Sequence, residues 1–181
     1  MSAQDALLDG IGPRLADIAR RALRAHLGTP PRSWRDEAPS DARLPKLPIF
    51  VTLRTTDGSL RGCIGSLRAE EPNVALETAR VAVLSATEDP RFAPLTFFEI
   101  ENLGIEVSVL LPEEPMSDPR ELDDGQYGVV VRDANGRKGV LLPGVPGVKN
   151  GAEQVAIARR KGGIEPTAAV TMVRFPVRKF V

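Results

Sequence analysis

The chain has 181 residues, 42% of them apolar, and its 24 Lys and Arg balance 24 Asp and Glu for a net charge of zero. That length suits one domain with a small second lobe, while the charge balance argues against a strongly basic nucleic-acid binder and against a polybasic membrane-surface protein. No apolar run approaches the roughly 20 residues of a membrane span, the N-terminal stretch carries charge and Gly throughout and reads as no signal peptide, and one Cys with one His excludes an internal disulfide and argues against a His/Cys zinc site, so the counts predict a soluble cytoplasmic domain.

The first predicted element is a helix. Ile11, Leu15, Ile18 and Ala22 recur at helical spacing, Ala19 and Leu23 widen the stripe, and Pro13 suits the first turn. Gly28, followed by Pro30 and Pro31, stops it. Arg14, Arg20, Arg21 and Arg24 occupy the other face and read as solvated. Residues 29–48, rich in Pro, Arg, Asp and Ser, form a long ordered connection from which Trp34 packs down onto the fold. Strands at Ile49–Thr55 and Leu60–Leu67 flank Thr56-Asp57-Gly58-Ser59, an Asp-Gly hairpin turn. A second helix is predicted over Asn73–Ala86, with Asn73 as N-cap. Its small-residue stripe of Ala75, Ala79, Ala82 and Ala86 permits close approach to a sheet, and Pro90 ends the segment by disfavouring helix at Asp89.

Leu103–Leu111 alternates as a strand, with Ile105, Val107 and Val109 inward and Glu106, Ser108 and Leu110 on the more polar face. Residues 112–124 set Glu113, Glu114, Asp118, Glu121, Asp123 and Asp124 against Arg120 and read as an exposed loop. A second hairpin pairs Tyr127–Arg132 with Lys138–Leu142 around Asn135-Gly136. After the Pro- and Gly-rich residues 143–150, a third helix spans Ala152–Lys161 and ends at Gly162-Gly163. A last strand spans Ala168–Phe175, with Phe180 at the tail. Hairpins with few crossovers predict an α+β fold: a mainly antiparallel sheet flanked by about three helices, in a single domain over 1–181 with a larger part and a small lobe.

The chemistry concentrates in Leu60-Arg61-Gly62-Cys63-Ile64-Gly65. Two glycines weaken a strand, so each needs a bulge or the close approach of a backbone or ligand. Alternation puts Arg61, Cys63 and Gly65 on one face, where the guanidinium would favour a thiolate at Cys63. The competing reading makes Cys63 a small packed hydrophobe between glycines. A Cys63/His26 dyad would need hydrogen-bond reach, and His26 already has a structural reason at a helix C-terminus. Asp89, Arg91 and Glu106 are further polar groups that could converge as a carboxylate–guanidinium cluster, or serve as a structural ion pair or cap. Walker A, dinucleotide, zinc-protease and Gly-x-Ser-x-Gly patterns are absent, and no cofactor or metal site is expected.

The ordered runs Leu60–Leu67 (LRGCIGSL), Asp89–Leu95 (DPRFAPL), Ile105–Leu110 (IEVSVL) and Gly139–Val145 (GVLLPGV) resemble the landmarks of the AMMECR-one domain family, named after a chromosomal region deleted in a syndrome with Alport nephritis, midface hypoplasia and elliptocytosis. The resemblance covers nearly the whole chain. It implies an α+β fold with a larger sheet-and-helix part and a smaller lobe, and a cytoplasmic protein linked with a Memo-like partner and a radical-SAM enzyme. It implies no settled activity. Its family-like positions here are Arg61, Gly62, Cys63, Gly65, Asp89, Arg91, Phe92, Glu106, Ser108 and Pro143. This sequence departs from the family after Pro143, where Gly144–Asn150 stands in place of a Gln and an acidic–Gly–Trp segment. It departs again near Arg159 and Arg160, where the family usually has a Cys.

Three functions follow as expectations. The first is an accessory component that binds a ligand or partner through the surface formed by Gly62, Cys63, Gly65, Arg91, Ser108 and Pro143. The second is an enzyme in which Cys63 is the reactive thiol, Arg61 holds an anionic substrate, and Glu106 or Asp89 acts as acid or base. A distant third is RNA association through the basic first helix and Arg159, Arg160 and Lys161, against which zero net charge and 4% aromatics weigh.

Overall fold

The computed structural model describes residues 3–122 and 126–181. The fold is α+β and divides into two compact units, residues 1–109 with 179–181 and residues 110–178. Asp123 and Asp124, counted above with the acidic loop, lie outside the described residues.

In the first unit the predicted first helix is two helices. Helix α1 (Ala3–Ile11) and helix α2 (Leu15–Leu27) are separated by a 3₁₀ turn, Gly12–Arg14. Pro13 therefore marks a joint between helices, since it cannot donate within a continuous one. The α2 stripe is buried as its spacing requires: Leu15, Ile18, Ala19, Ala22 and Leu23 are all inside. Its arginine face differs from the solvated reading. Arg20 donates to the Ile100 and Leu103 carbonyls, and Arg24 grips Glu101 with two hydrogen bonds of 2.8 and 2.7 Å. Arg21 donates to Asp17 and to the Glu37 carbonyl. The Arg20 and Arg24 guanidiniums hold a 3₁₀ turn, Phe97–Asn102, that the predicted elements did not include.

Strands β1 (Ile49–Arg54) and β2 (Leu60–Gly65) form the predicted hairpin, with Gly58 at φ +84° in the turn. Strand β3 (Gly104–Leu110) pairs antiparallel with the other side of β1, leaving β2 at the sheet edge. Helix α3 (Val74–Thr87) packs on β1, β2 and α2. Asn73 caps it as predicted, accepting from the Ala75 and Leu76 N–H groups at 3.0 and 2.9 Å. Glu77 is fully buried on α3. It pairs with Arg80 at 2.6 Å and accepts the Glu70 and Glu71 N–H groups, which fastens the β2–α3 connection to the helix.

The second unit contains β4 (Glu114–Met116), β5 (Tyr127–Asp133), β6 (Lys138–Leu141), α4 (Gly151–Lys161) and most of β7 (Val170–Phe180). Strand β7 pairs antiparallel with β4 and β5, and β5 with β6. The acidic stretch read as an exposed loop is thus partly strand. Its carboxylates meet bases supplied from elsewhere, Glu113 with Arg132 and Glu114 with Arg174, and a capped 3₁₀ turn follows at Pro119–Glu121. The hairpin turn carries Gly136 at φ +81°, as the Asn-Gly signal requires. Helix α4 covers this hairpin through a core that includes Met116, Val129, Val131, Leu141, Val155 and Ala158. The strand predicted to end near Phe175 runs on to Phe180. Among the described residues no helix is long and apolar enough to cross a membrane.

Candidate functional site

Both glycines of the Leu60–Gly65 run are explained by close approach. A Cβ at Gly62 would lie 2.2 Å from the Ser85 carbonyl oxygen of α3, and one at Gly65 would lie 2.2 Å from the Phe50 ring. The helix thereby reaches the sheet backbone. Ser85 Oγ donates to the Val51 carbonyl and accepts the Ile64 N–H, each at 3.0 Å, bridging β1 and β2.

The register shifts at Leu53/Arg54, where Leu53 pairs with Gly62 and Arg54 with Leu60, so Arg61 is the extra residue of a bulge. A bulge re-aims its side chain. Arg61 donates to Glu99 Oε1 at 2.8 Å and to the Ala93 carbonyl at 3.0 Å, so the expected pairing of its guanidinium with the Cys63 thiol gives way to these contacts. Arg61 holds the Glu99 carboxyl down at about 2, helped by the Thr96 N–H and hydroxyl.

Cys63 is half-buried. Its N–H donates to Asp89 Oδ2 at 2.8 Å, and its carbonyl accepts from Arg91 Nη2 at 3.3 Å. Asp89 is 5% exposed and grips Arg91 through Oδ1 to Nε at 2.9 Å and Oδ2 to Nη2 at 2.7 Å, while Oδ1 also accepts the Arg91 N–H at 3.1 Å. The guanidinium, and then the two N–H donors, hold the Asp89 carboxyl far below the usual carboxylate range. The guanidinium expected beside Cys63 is therefore that of Arg91, and it meets the backbone carbonyl. With Arg61 bound to Ala93, residues 89–93 run along the free edge of β2 and satisfy it with side chains.

The thiol itself faces Thr52, whose Oγ1 is 3.4 Å from Sγ. Thr52 lies opposite Cys63 on one side and opposite Glu106 on the other, so the three share one face of the sheet. Glu106 is half-buried, 3.4 Å from Lys179 Nζ and 3.4 Å from Ser108 Oγ. The described hydrogen bonds of Cys63 go to Thr52, Asp89 and Arg91; His26 sits in the last turn of α2 and supplies none of them. Pro143 is buried in the second unit. Arg159, one of the bases that suggested RNA binding, spends its guanidinium on the carbonyls of Glu165, Pro166 and Ala168. Among the described residues no three His, Cys, Asp or Glu side chains converge to hold a metal ion.

Thr52, Glu99 and Lys179 are the site residues that sequence reasoning missed. Thr52 was hidden by the bulge: pairing counted outward from the turn sets it opposite Gly62 instead of Cys63. Glu99 had a signal, the Thr96-x-x-Glu99 spacing of a capping box, and both bonds of that box are present.

These features define an α+β protein built around a glycine-flanked cysteine on a covered edge strand. Residues 16–180 match the AMMECR1 family, and the chain belongs to that family. A relative from Thermotoga maritima is 46% identical over 132 residues, 72% of this chain and 75% of its own. A longer one from Clostridium acetobutylicum is 35% identical over 90% of this chain, which spans only 34% of that protein. The crystal structure of an uncharacterized protein from Pyrococcus horikoshii superposes with a TM-score of 0.79 at 31% identity, covering 94% of this chain and 90% of that one.

Proposed function

We propose that residues 1–181 act as one cytoplasmic AMMECR1-type accessory domain that engages a ligand or partner through the Cys63 edge, with the cysteine shaping the surface. The observation that carries this is the Asp89 carboxylate: four donors from Arg91 and Cys63 occupy its oxygens. A carboxylate so filled and so strongly ionised is a positioning group, with no lone pair left for proton transfer. Arg61 is likewise committed to Glu99 and Ala93. The cytoplasmic compartment is read from the single cysteine. The family resemblance supplies the partners to try first, a Memo-like protein and a radical-SAM enzyme.

The test is alkylation of Cys63 in the native and the urea-unfolded chain at neutral pH, beside capture of each partner by wild type and by Cys63→Ala. Slower labelling in the native state, with capture intact in Cys63→Ala, is the expected result. Native labelling faster than unfolded labelling overturns it and favours a second reading, an enzyme using the Cys63 thiol on a small anionic substrate. The observation favouring that reading is the Cys63–Thr52–Glu106 row across three strands. In that case Glu106→Gln slows the native labelling.

A further inference from the structure

The second unit holds a cavity that its own side chains leave open. Between helix α4 and the segment that follows it lies a space of about 570 Å³, inside the roughly 300–1,000 Å³ of pockets that take small molecules. Part of its lining is core: Val155 and Ile164 are buried and belong to the apolar cluster beneath α4. Ala152 and Ala156 line it from the helix, where their short side chains leave room, and Pro166 lines it from the following segment.

Hydrogen bonds tie the helix to that segment. The Ile164 N–H donates to the Arg159 carbonyl at 2.9 Å and the Gly163 N–H to the Arg160 carbonyl at 3.2 Å, with Gly163 at φ +64°. Arg159 Nη1 donates to the Glu165 and Pro166 carbonyls at 3.0 and 3.1 Å. The cavity is thus framed in advance, and little ordering is left for a ligand to impose.

Arg160 stands in contrast to Arg159. It is exposed, and among the described residues its guanidinium takes part in no hydrogen bond or ion pair. It follows Ala152 and Ala156 at intervals of four, so the three share one face of α4. A helical side chain leans back over the turn before its own, which here is the turn of Ala156. Arg160 accordingly lines the cavity with the two alanines. Glu165 lines it as well, but the guanidiniums of Arg159 and Arg160 against that one carboxylate leave the lining net positive.

We infer that this cavity binds a small monocarboxylate with an apolar body, the body against Val155, Ile164 and Pro166 and the carboxylate paired with the Arg160 guanidinium. Three observations select the class. The apolar lining calls for the body, the single excess positive charge calls for one negative charge, and an unspent guanidinium presents the planar fork that a carboxylate matches. Every residue of the cavity belongs to the second unit, so binding there is tested independently of the Cys63 edge.

The probes are 2-naphthoate and 2-naphthamide, alike in shape but with and without the charge, titrated into the full chain labelled with nitrogen-15. Both move the backbone signals of Ala152, Ala156 and Gly163, and the naphthoate binds about 10-fold more tightly, the gain of one charge-assisted pair at an exposed site. Arg160→Gln brings the naphthoate down to the affinity of the naphthamide and leaves the naphthamide unchanged. Ala156→Phe fills the cavity and abolishes both sets of shifts. The proposal is overturned by equal binding of the two probes to the wild-type chain, by no shift at these three residues at millimolar naphthoate, or by a naphthoate preference that survives in Arg160→Gln. Tighter binding of 2-naphthylmethylammonium than of naphthoate also overturns it, giving the cavity to Glu165. The probes decide the matter on the wild-type chain alone should either variant not fold.

Discussion

The two units use one device twice. In each, a hairpin's second strand carries a glycine against the backbone of the helix that covers it: Gly62 faces the Ser85 carbonyl at 2.2 Å, and Gly139 faces the Ala158 carbonyl at 1.7 Å, both measured from the Cβ an alanine would bring. What surrounds the contact differs. Around β2, Asp89 pairs with Arg91 and the Cys63 N–H, and Arg61 pairs with Glu99 and the Ala93 carbonyl. Among the described residues of the other unit, one buried amide oxygen, Gln154 Oε1 on α4, has no hydrogen-bond partner. The same packing solution therefore sits within side-chain clasps in one unit and beside an unpaired buried acceptor in the other.

The largest effect is expected from breaking the shared device. Gly139→Ala drives a methyl into a helix carbonyl that cannot yield without moving α4, and about 3 kcal/mol of stability should go. Gly62→Ala, with slightly more room, should cost about 2 kcal/mol. Urea unfolding midpoints measure both, and a midpoint unchanged in either variant would show that the helix does not approach as described. Asp89→Ala comes next. It strands the half-buried Cys63 N–H and releases Arg91, for about 1 to 3 kcal/mol, and it should raise the alkylation rate of Cys63 as the β2 edge loosens. An unaltered labelling rate would separate the clasp from the thiol's exposure.

The pH dependence is smaller and has a definite sign. Asp89 and Glu99 both titrate lower in the folded chain than in the unfolded one, Glu99 at about 2 in place of 4.5. Their contributions are present above the unfolded value and vanish as pH falls through the folded one. Unfolding followed from pH 6 downward should therefore show stability draining away below about 4.5, with a gentler decline in Asp89→Ala. A gap between the two proteins that holds constant down to the lowest pH would contradict the assignment. Glu99→Gln should cost least, under about 1 kcal/mol, because its carboxylate is 36% exposed and water screens the pair.

What could be read from the sequence was local. Asn73 lies two and three residues from the N–H groups it caps, and each hairpin turn declares itself through Asp-Gly or Asn-Gly. The family resemblance extended that reading to the whole fold. The failures came where a residue's partner is distant or its register is shifted. Arg61 alternates correctly on paper, yet the bulge sends it to Glu99, 38 residues on. Asp89 looks like a candidate acid, yet its oxygens are filled by a backbone N–H 26 residues earlier and by Arg91. Strand β4 hid behind Pro115 and its acids, since an edge strand tolerates both and so lacks the usual pattern. Gln154 gave no signal, because an unanswered oxygen is visible only when everything around it is placed.

The covered edge of β2 also bears on how the chain is made. Strand β2, helix α3 and the 89–93 segment that runs back along the strand are contiguous, so a nascent chain carries all the parts of that clasp before residue 104 begins the next strand. An unpaired edge is most dangerous during synthesis, when later strands do not yet exist and neighbouring nascent chains lie close by. Here the ribosome delivers the cover within some thirty residues of the strand it protects, so the glycine-flanked cysteine strand need not wait for the rest of the protein to be shielded from mispairing.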